Sequence, residues 1–203
     1  GGPCYIRLNR GGEKTLTENA QPPQLGVGSV LKTGSQVTIF SIGTITEVAL
    51  EAATMLAAEN IDVEVVHMHT HKPFDKEIVK DRASTRKAVV TLEEHTIIGG
   101  LGSAVAEVIA EAGLAVPFQR IGVEDHYFSS IGKQDFLRAQ AGISAAAVVE
   151  KVKKLIYSAS SSAYGDQKKL PLREDMITNT KNPYALFKYM GEEMAHLFYQ
   201  LYG

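Results

Sequence analysis

The feature that most constrains the fold is a regular alternation of apolar strands and amphipathic helices between residues 37 and 156. Short apolar runs such as VTIFSIG are followed by helical patterns such as LGSAVAEVIAEAG. Strands that are separated by helices usually run parallel in one sheet, and the helices then cover both of its faces. The pattern therefore predicts an α/β fold with a mostly parallel sheet and helices on both faces.

Nine segments carry this alternation. Four strands are predicted at QVTIFSIG, IDVEVVHMH, KAVVTLEEH and PFQRIGVED. Five helices are predicted at TITEVALEAATMLAAEN, DKEIVKDRAST, LGSAVAEVIAEAG, KQDFLRAQAG and SAAAVVEKVKKLI. Thr44 and Glu47 have the spacing of a capping box, which predicts the start of the first helix.

Both flanks of this region have a different character. Apolar and polar residues alternate at 2–10, which predicts one strand, and the polar run that follows is typical of a linker. Beyond Ile156 the chain is rich in Ser, Asn, Asp and Lys, until Asn182 and Pro183 predict the start of a final helix. The predicted parts of the chain are residues 1–34, 35–156 and 157–203.

Composition excludes several classes of function. The 203 residues carry 21 basic and 23 acidic side chains, a formal net charge of −2, which gives no reason to expect nucleic acid or an anionic membrane as partner. The sequence has no apolar run long enough for a transmembrane helix, and Cys4 is its one cysteine, so no internal disulfide is possible. A cytoplasmic location is expected.

Several ordered motifs carry a family resemblance over residues 1–156. They are GPCYIRLNRG, VTIFSIGTITEVALEAATMLAAENIDVEVVHM, HKPFD, VVTLEEHTIIGGLGSAVAEVI and IGVEDHYFSSIG. Together they resemble the C-terminal region of transketolase-type enzymes, which depend on thiamine diphosphate and include 1-deoxyxylulose-5-phosphate synthase. The resemblance implies transfer of a two-carbon ketol unit between sugar phosphates. It also implies that residues 1–34 are the last strand of a pyrimidine-binding domain and its linker.

The same resemblance carries expectations about cofactor, partner and substrate. Thiamine diphosphate and Mg²⁺ would be held by upstream domains, so this chain alone is expected to bind no cofactor and no metal. The expected partners are an N-terminal thiamine-binding half or subunit and further copies in a homo-oligomer. Arg10 matches an arginine that the family uses on the sugar phosphate, a task that suits the planar guanidinium fork. The alternative is a solvated arginine at a strand end.

The last 47 residues are similar to a second family. YSASSSAYG and NPYALFK resemble the extended short-chain dehydrogenases that act on nucleotide sugars. In this resemblance, Ser160, Tyr184 and Lys188 match the catalytic residues of that family. Tyr184 and Lys188 share one face of a helix, where the lysine cation lowers the pKa of the phenol. The resemblance implies that Ser160 binds the sugar hydroxyl and that Lys188 also holds the nicotinamide ribose.

The glycine-rich turn that would hold NAD in this second family is not found upstream. Gly99, Gly100 and Gly102 lie between a strand and a helix, but their spacing fits neither dinucleotide fingerprint. The two resemblances predict a chimera whose dehydrogenase-like residues are silent. The chain alone is then a structural and subunit-contact module without turnover, and the alternative is a fragment of an NAD-dependent nucleotide-sugar epimerase or dehydratase.

Three further groups of residues were weighed as sites. His67, His69 and His71 alternate along a strand exit and have zinc-ligand chemistry, although a structural role is favoured there. Glu93, Glu94 and His95 carry acid–base chemistry, although a structural or interface role is favoured. The SIGTITE turn leaves free amides at a helix start, which is where an anion could bind.

Overall fold

The computed structural model describes residues 2–8, 14–16 and 22–155, together with helical positions near the C-terminus at 183, 186, 189–191, 193, 194 and 197. The chain divides into two compact units, Gly1–Leu155 and Ile156–Gly203. All the strands described below belong to the first unit.

The first unit is built on a five-stranded sheet with the order β1-β3-β2-β4-β5. Four strands are parallel, and β1 pairs with β3 in the antiparallel sense. This confirms the predicted α/β fold with a mostly parallel sheet. The strands are β1 Ser29–Lys32, β2 Val37–Ile42, β3 Val63–His67, β4 Ala88–Thr96 and β5 Phe118–Val123.

Five α-helices connect and cover the strands, as the alternation predicted. They are α1 Thr46–Ala58, α2 Lys76–Thr85, α3 Leu101–Glu111, α4 Gln134–Gln140 and α5 Ala145–Leu155. The helices α2 and α3 pack on one face of the sheet, where Phe40 and Val66 join Val79, Leu101 and Val105 in a buried cluster. The helix α1 packs against β2, β3 and α5. The central strands β2 and β3 are therefore buried on both faces, which explains their mostly apolar sequences, whereas the edge strand β5 is partly exposed.

A capping box at Thr44 and Glu47 was predicted, and this prediction is wrong. The helix α1 begins at Thr46 after a single 3-10 turn, and its N-cap position, Ile45, makes no side-chain cap bond. The Thr44 hydroxyl instead contacts Glu94 and Arg138, and Glu47 pairs with Lys14. Tertiary partners for both side chains replace the local cap.

One strand predicted near the N-terminus does not form in the described residues 2–8, and one strand that does form was not predicted. Residues 2–8 have no regular secondary structure, and Tyr5, Ile6 and Leu8 are exposed. An alternating sequence forms a strand only where a neighbour accepts its hydrogen bonds, and the described residues provide none for this segment. Conversely, β1 lies in the segment that was predicted to be a linker. A strand forms there because the segment pairs with the edge of β3.

Candidate functional site at the carboxyl edge of the sheet

The sheet has one topological switch point, between β2 and β4. The chain leaves β2 toward β3 on one side of the sheet, and it leaves β4 toward β5 on the other. In open α/β sheets, the crevice outside the carboxyl ends of two such strands is where ligands commonly bind. Thr44 follows β2 there, and Glu93 and Glu94 lie near the end of β4. This crevice is the first place to look for a functional site.

A buried arginine fills the crevice. Arg138 of α4 donates from Nε to Glu94 Oε1 at 3.2 Å and from Nη2 to Glu94 Oε2 at 2.9 Å. Arg138 Nη2 also donates to Thr44 Oγ1 at 3.2 Å, and Gln134 Nε2 donates to both Glu94 oxygens at 3.1 and 3.2 Å. Because the fork of the guanidinium meets both carboxylate oxygens, the pair fixes geometry as well as charge.

The pKa of Glu94 reflects this arrangement. Burial by itself would raise the pKa of the Glu94 carboxyl, but the hydrogen bonds from Arg138 and Gln134 outweigh it and hold the pKa below its usual value. Glu94 is therefore ionised at neutral pH and is already paired. A carboxylate in that state is a poor general acid and has no free lone pair directed at a substrate.

The second glutamate of the LEEH motif fills the adjacent helix start. Glu93 is buried, and it accepts hydrogen bonds from the amides of Leu101 and Gly102 at 2.7 Å each. A Cβ at Gly100 would overlap with Glu93 Oε2, so the glycine leaves room for this carboxylate. The Glu93 carboxyl group thus occupies the first turn of α3, where an anionic ligand would otherwise bind.

The glycine-rich turn can now be interpreted. Gly99 has a positive φ of 75° and donates from its amide to Ser103 Oγ at 2.9 Å. Gly100 leaves space for the Glu93 carboxyl group, whereas a Cβ at Gly102 would meet Arg120 and Thr91. The amides at this helix start are thus already bonded to a side chain of the domain itself.

The histidines lie at the same edge, at the exit of β3. Their rings form an edge-to-face pair, with the His67 and His69 centroids 5.8 Å apart, and His69 Nδ1 lies 2.9 Å from Thr70 Oγ1. Burial, together with the neighbouring His69, lowers the pKa of His67 to about 4, so this imidazole is neutral at pH 7. Within the described ranges, no cluster of three or more His, Cys, Asp or Glu side chains could hold a metal ion.

The structure brings together some of the residues singled out in the sequence and leaves others outside its description. Thr44 and Glu94 meet at the switch point, and the exposed His95 bonds through Nδ1 to the Thr96 carbonyl. Arg10, Ser160, Tyr184 and Lys188 lie outside the described residues.

Sequence reasoning missed Arg138 and Gln134. They lie in a polar helix 40 and 44 positions after Glu94, and no local spacing signals the contact.

The fold and this edge can be compared with known proteins. The family described as "Transketolase, C-terminal domain" matches residues 26–148, and the family described as "NAD dependent epimerase/dehydratase family" matches residues 103–203. The first match covers most of the chain and all five strands. The protein belongs to the transketolase C-terminal domain family.

Relatives of known annotation agree with this assignment. The chain is 42% identical over 148 residues to 6-deoxy-6-sulfo-D-fructose transketolase subunit SqwH of Clostridium sp. (strain MSTE9), covering 73% of this chain and 45% of that protein. It is 39% identical over 153 residues to the putative transketolase C-terminal section of Methanocaldococcus jannaschii, covering 74% and 47%. It is 37% identical over 156 residues to 1-deoxy-D-xylulose-5-phosphate synthase of Heliobacterium modesticaldum, covering 76% and 24%.

A solved structure shares the fold. The protein described as "Split gene transketolase, inactive beta4 tetramer" superposes with a TM-score of 0.66 at 42% identity, covering 72% of this chain and 47% of that one. The chain therefore spans less than half the length of the relatives that it matches. In the part of the chain that the structure describes, no helix combines the length and the apolar character needed to cross a membrane.

Proposed function

We propose that this chain is the C-terminal section of a transketolase-type enzyme that transfers a two-carbon ketol unit between sugar phosphates. Its own role is structural: it supplies a rigid domain and subunit contacts, and it has no turnover alone. The observation that carries this proposal is the filled switch point. Glu94 and Arg138 occupy the crevice where an α/β domain would take a ligand, and Glu93 occupies the adjacent helix start.

The coenzyme is accordingly placed elsewhere. Thiamine diphosphate and Mg²⁺, which supply the covalent chemistry in this enzyme class, would be held by an N-terminal thiamine-binding section. The amides at the start of α3 are already bonded to Glu93, and Arg138 is already paired with Glu94, so neither is left free for a diphosphate there. Arg10 is proposed to contact the phosphate of the sugar substrate, because its guanidinium matches two phosphate oxygens at once.

The proposed partners follow from the same division of function between this chain and an N-terminal thiamine-binding section. One is the N-terminal thiamine-binding half or subunit, and the other is a second copy of this chain in a homo-oligomer. The relatives named as a transketolase subunit and as a β4 tetramer support both. A cytoplasmic location is proposed with them.

The domain boundaries remain part of this proposal. Residues 1–34 would be the end of a pyrimidine-binding domain with its linker, residues 35–156 the transketolase C-terminal-like domain, and residues 157–203 the dehydrogenase-like fragment. The match of two families to one chain supports this chimera.

A reconstitution assay tests the main proposal. The chain is mixed with a separately produced N-terminal thiamine-binding section from a split transketolase, and ketol transfer between sugar phosphates is followed with thiamine diphosphate and Mg²⁺ present. Activity is expected only in the mixture. Activity of the chain alone, or a mixture no more active than the N-terminal section alone, would contradict the proposal.

A second candidate function is supported by the epimerase match to residues 103–203. In that case Tyr184 would act as base, Lys188 would lower its pKa and hold the ribose, and Ser160 would bind the sugar hydroxyl. Our main proposal treats these three residues as silent. NAD should then leave the melting temperature of the chain unchanged, whereas a rise that Lys188→Met abolishes would favour the second candidate.

A further inference from the structure

An exposed apolar surface lies at the carboxyl edge, in the connection between β5 and α4. Tyr127 is 104% exposed and Ile131 is 98% exposed. We call residues 125–133 the edge loop. These two large apolar side chains are four positions apart and almost fully exposed. They leave an apolar area in contact with water, which a protein contact would cover.

The edge loop has a fixed base. Ile97 donates from its amide to the Val123 carbonyl at 2.9 Å, which joins the exits of β4 and β5. At the other end of the loop, Gln134 and Arg138 hold α4 against Glu94. Both ends of the edge loop are therefore anchored to the carboxyl edge of the sheet.

The sequence of the edge loop is symmetric about Ser129. Tyr127 and Ile131 lie two positions to either side, and Asp125 and Lys133 lie four positions to either side. In a two-fold symmetric contact between antiparallel segments, a residue that lies a given number of positions before the axis faces the residue that lies the same number of positions after it on the other copy. With the axis near Ser129, apolar side chains would meet apolar ones and an acid would meet a base. The loop is complementary to itself.

We propose that the edge loop is the docking surface for a second copy of this chain, with the two loops antiparallel about a two-fold axis near Ser129. Tyr127 of one copy packs on Ile131 of the second copy, and Asp125 pairs with Lys133. The inference rests on the homo-oligomer proposed above and names the surface that forms it.

The apolar contact is tested by the oligomeric state of the full chain. Sedimentation equilibrium of the Tyr127→Ser/Ile131→Ser variant should give a dimer dissociation constant at least about tenfold higher than that of the unchanged chain. Met55→Ser is the matched control, because Met55 is an exposed apolar residue on α1. It should leave the dissociation constant unchanged. The melting temperature of each variant at a concentration where all are monomeric shows whether the fold is intact.

The two-fold arrangement is tested by charge reversal. Asp125→Lys alone and Lys133→Asp alone should each weaken the dimer, since each places like charges together. The double variant should restore the dissociation constant to within about threefold of the unchanged chain, because the pair is only reversed. Absence of this rescue would overturn the antiparallel contact.

Two further results would overturn the inference in distinguishable ways. A chain that is monomeric at every concentration removes both the homo-oligomer and the docking surface, while ketol transfer in the reconstitution assay still judges the proposed function. A Tyr127→Ser/Ile131→Ser variant that dimerises normally but loses ketol transfer with the N-terminal section would assign the edge loop to that section.

Discussion

Arg138 of α4 contacts both carboxylate oxygens of Glu94 at the end of β4, at 3.2 and 2.9 Å. The two residues come from distant parts of the sequence and meet at the point where the strand order reverses. A side chain of the domain itself thus occupies the crevice that other α/β proteins give to a ligand. The pair supports the structural role that we propose for this domain.

Replacing Arg138 should destabilise the domain. The Arg138→Met variant leaves the partly buried Glu94 carboxylate without its strongest donor, and we expect a loss of about 2 kcal/mol in the free energy of unfolding, since part of Glu94 remains in contact with water. Urea unfolding measures this. Lys87→Met, at an exposed position just before β4, is the control and should change stability by less than about 0.5 kcal/mol. Equal effects in both variants would contradict the assigned role.

The internal cap of α3 gives a second prediction. Gly100→Ala places a methyl group where Glu93 Oε2 lies, so the carboxylate must leave the amides of Leu101 and Gly102. Glu93 is buried and would lose both of these hydrogen bonds, so we expect a loss of at least about 2 kcal/mol in the free energy of unfolding. Glu93→Gln should lose stability as well, because an amide has only one acceptor oxygen.

Glu107→Gln provides the control for that experiment, because Glu107 is exposed on the same helix. Unfolding of this variant should match the unchanged chain within about 0.5 kcal/mol. If Glu93→Gln were equally harmless, the carboxylate would not be serving as the cap.

The stability of the domain should depend on pH through His67. Its pKa is about 4 in the folded state and 6.5 ordinarily, so between those values the unfolded chain binds more protons than the folded one. The contribution of His67 is therefore fully present above pH 6.5, and it is lost as the pH falls toward 4. A shift of this size corresponds to about 3 kcal/mol. His67→Gln should flatten the decline between pH 6.5 and 4.

His95→Gln serves as the comparison, since the His95 side chain is exposed. Chemical denaturation at half-unit pH steps gives the free energy of unfolding for both variants. A His67→Gln profile as steep as that of His95→Gln would show that the buried imidazole does not carry this dependence.

The periodicity of apolar residues predicted most of the helices and strands, and the elements that were predicted wrongly share a physical cause. The four parallel strands and five helices were predicted because each carries a continuous apolar run or an apolar face. The strand β1 is only four residues long and forms by pairing with the edge of β3, a contact that local sequence does not record. The alternating residues 2–8 show the converse, since they have no strand partner among the described residues.

The candidate site was predicted less completely than the fold. The LEEH motif drew attention to Glu93 and Glu94, and a structural role was favoured for both. Local reasoning could not identify Arg138, because the contact depends on how α4 packs after the β4–α3–β5 crossover. The same packing redirected Thr44 from its expected cap to the ion pair.

The central claim is that this chain leaves the coenzyme to another part of the enzyme, and calorimetric titration of thiamine diphosphate with Mg²⁺ tests it most directly. Titration into the chain alone should give no heat beyond dilution, whereas titration into its complex with the N-terminal section should show saturable binding. Stoichiometric, saturable binding of thiamine diphosphate to the chain alone would contradict the account.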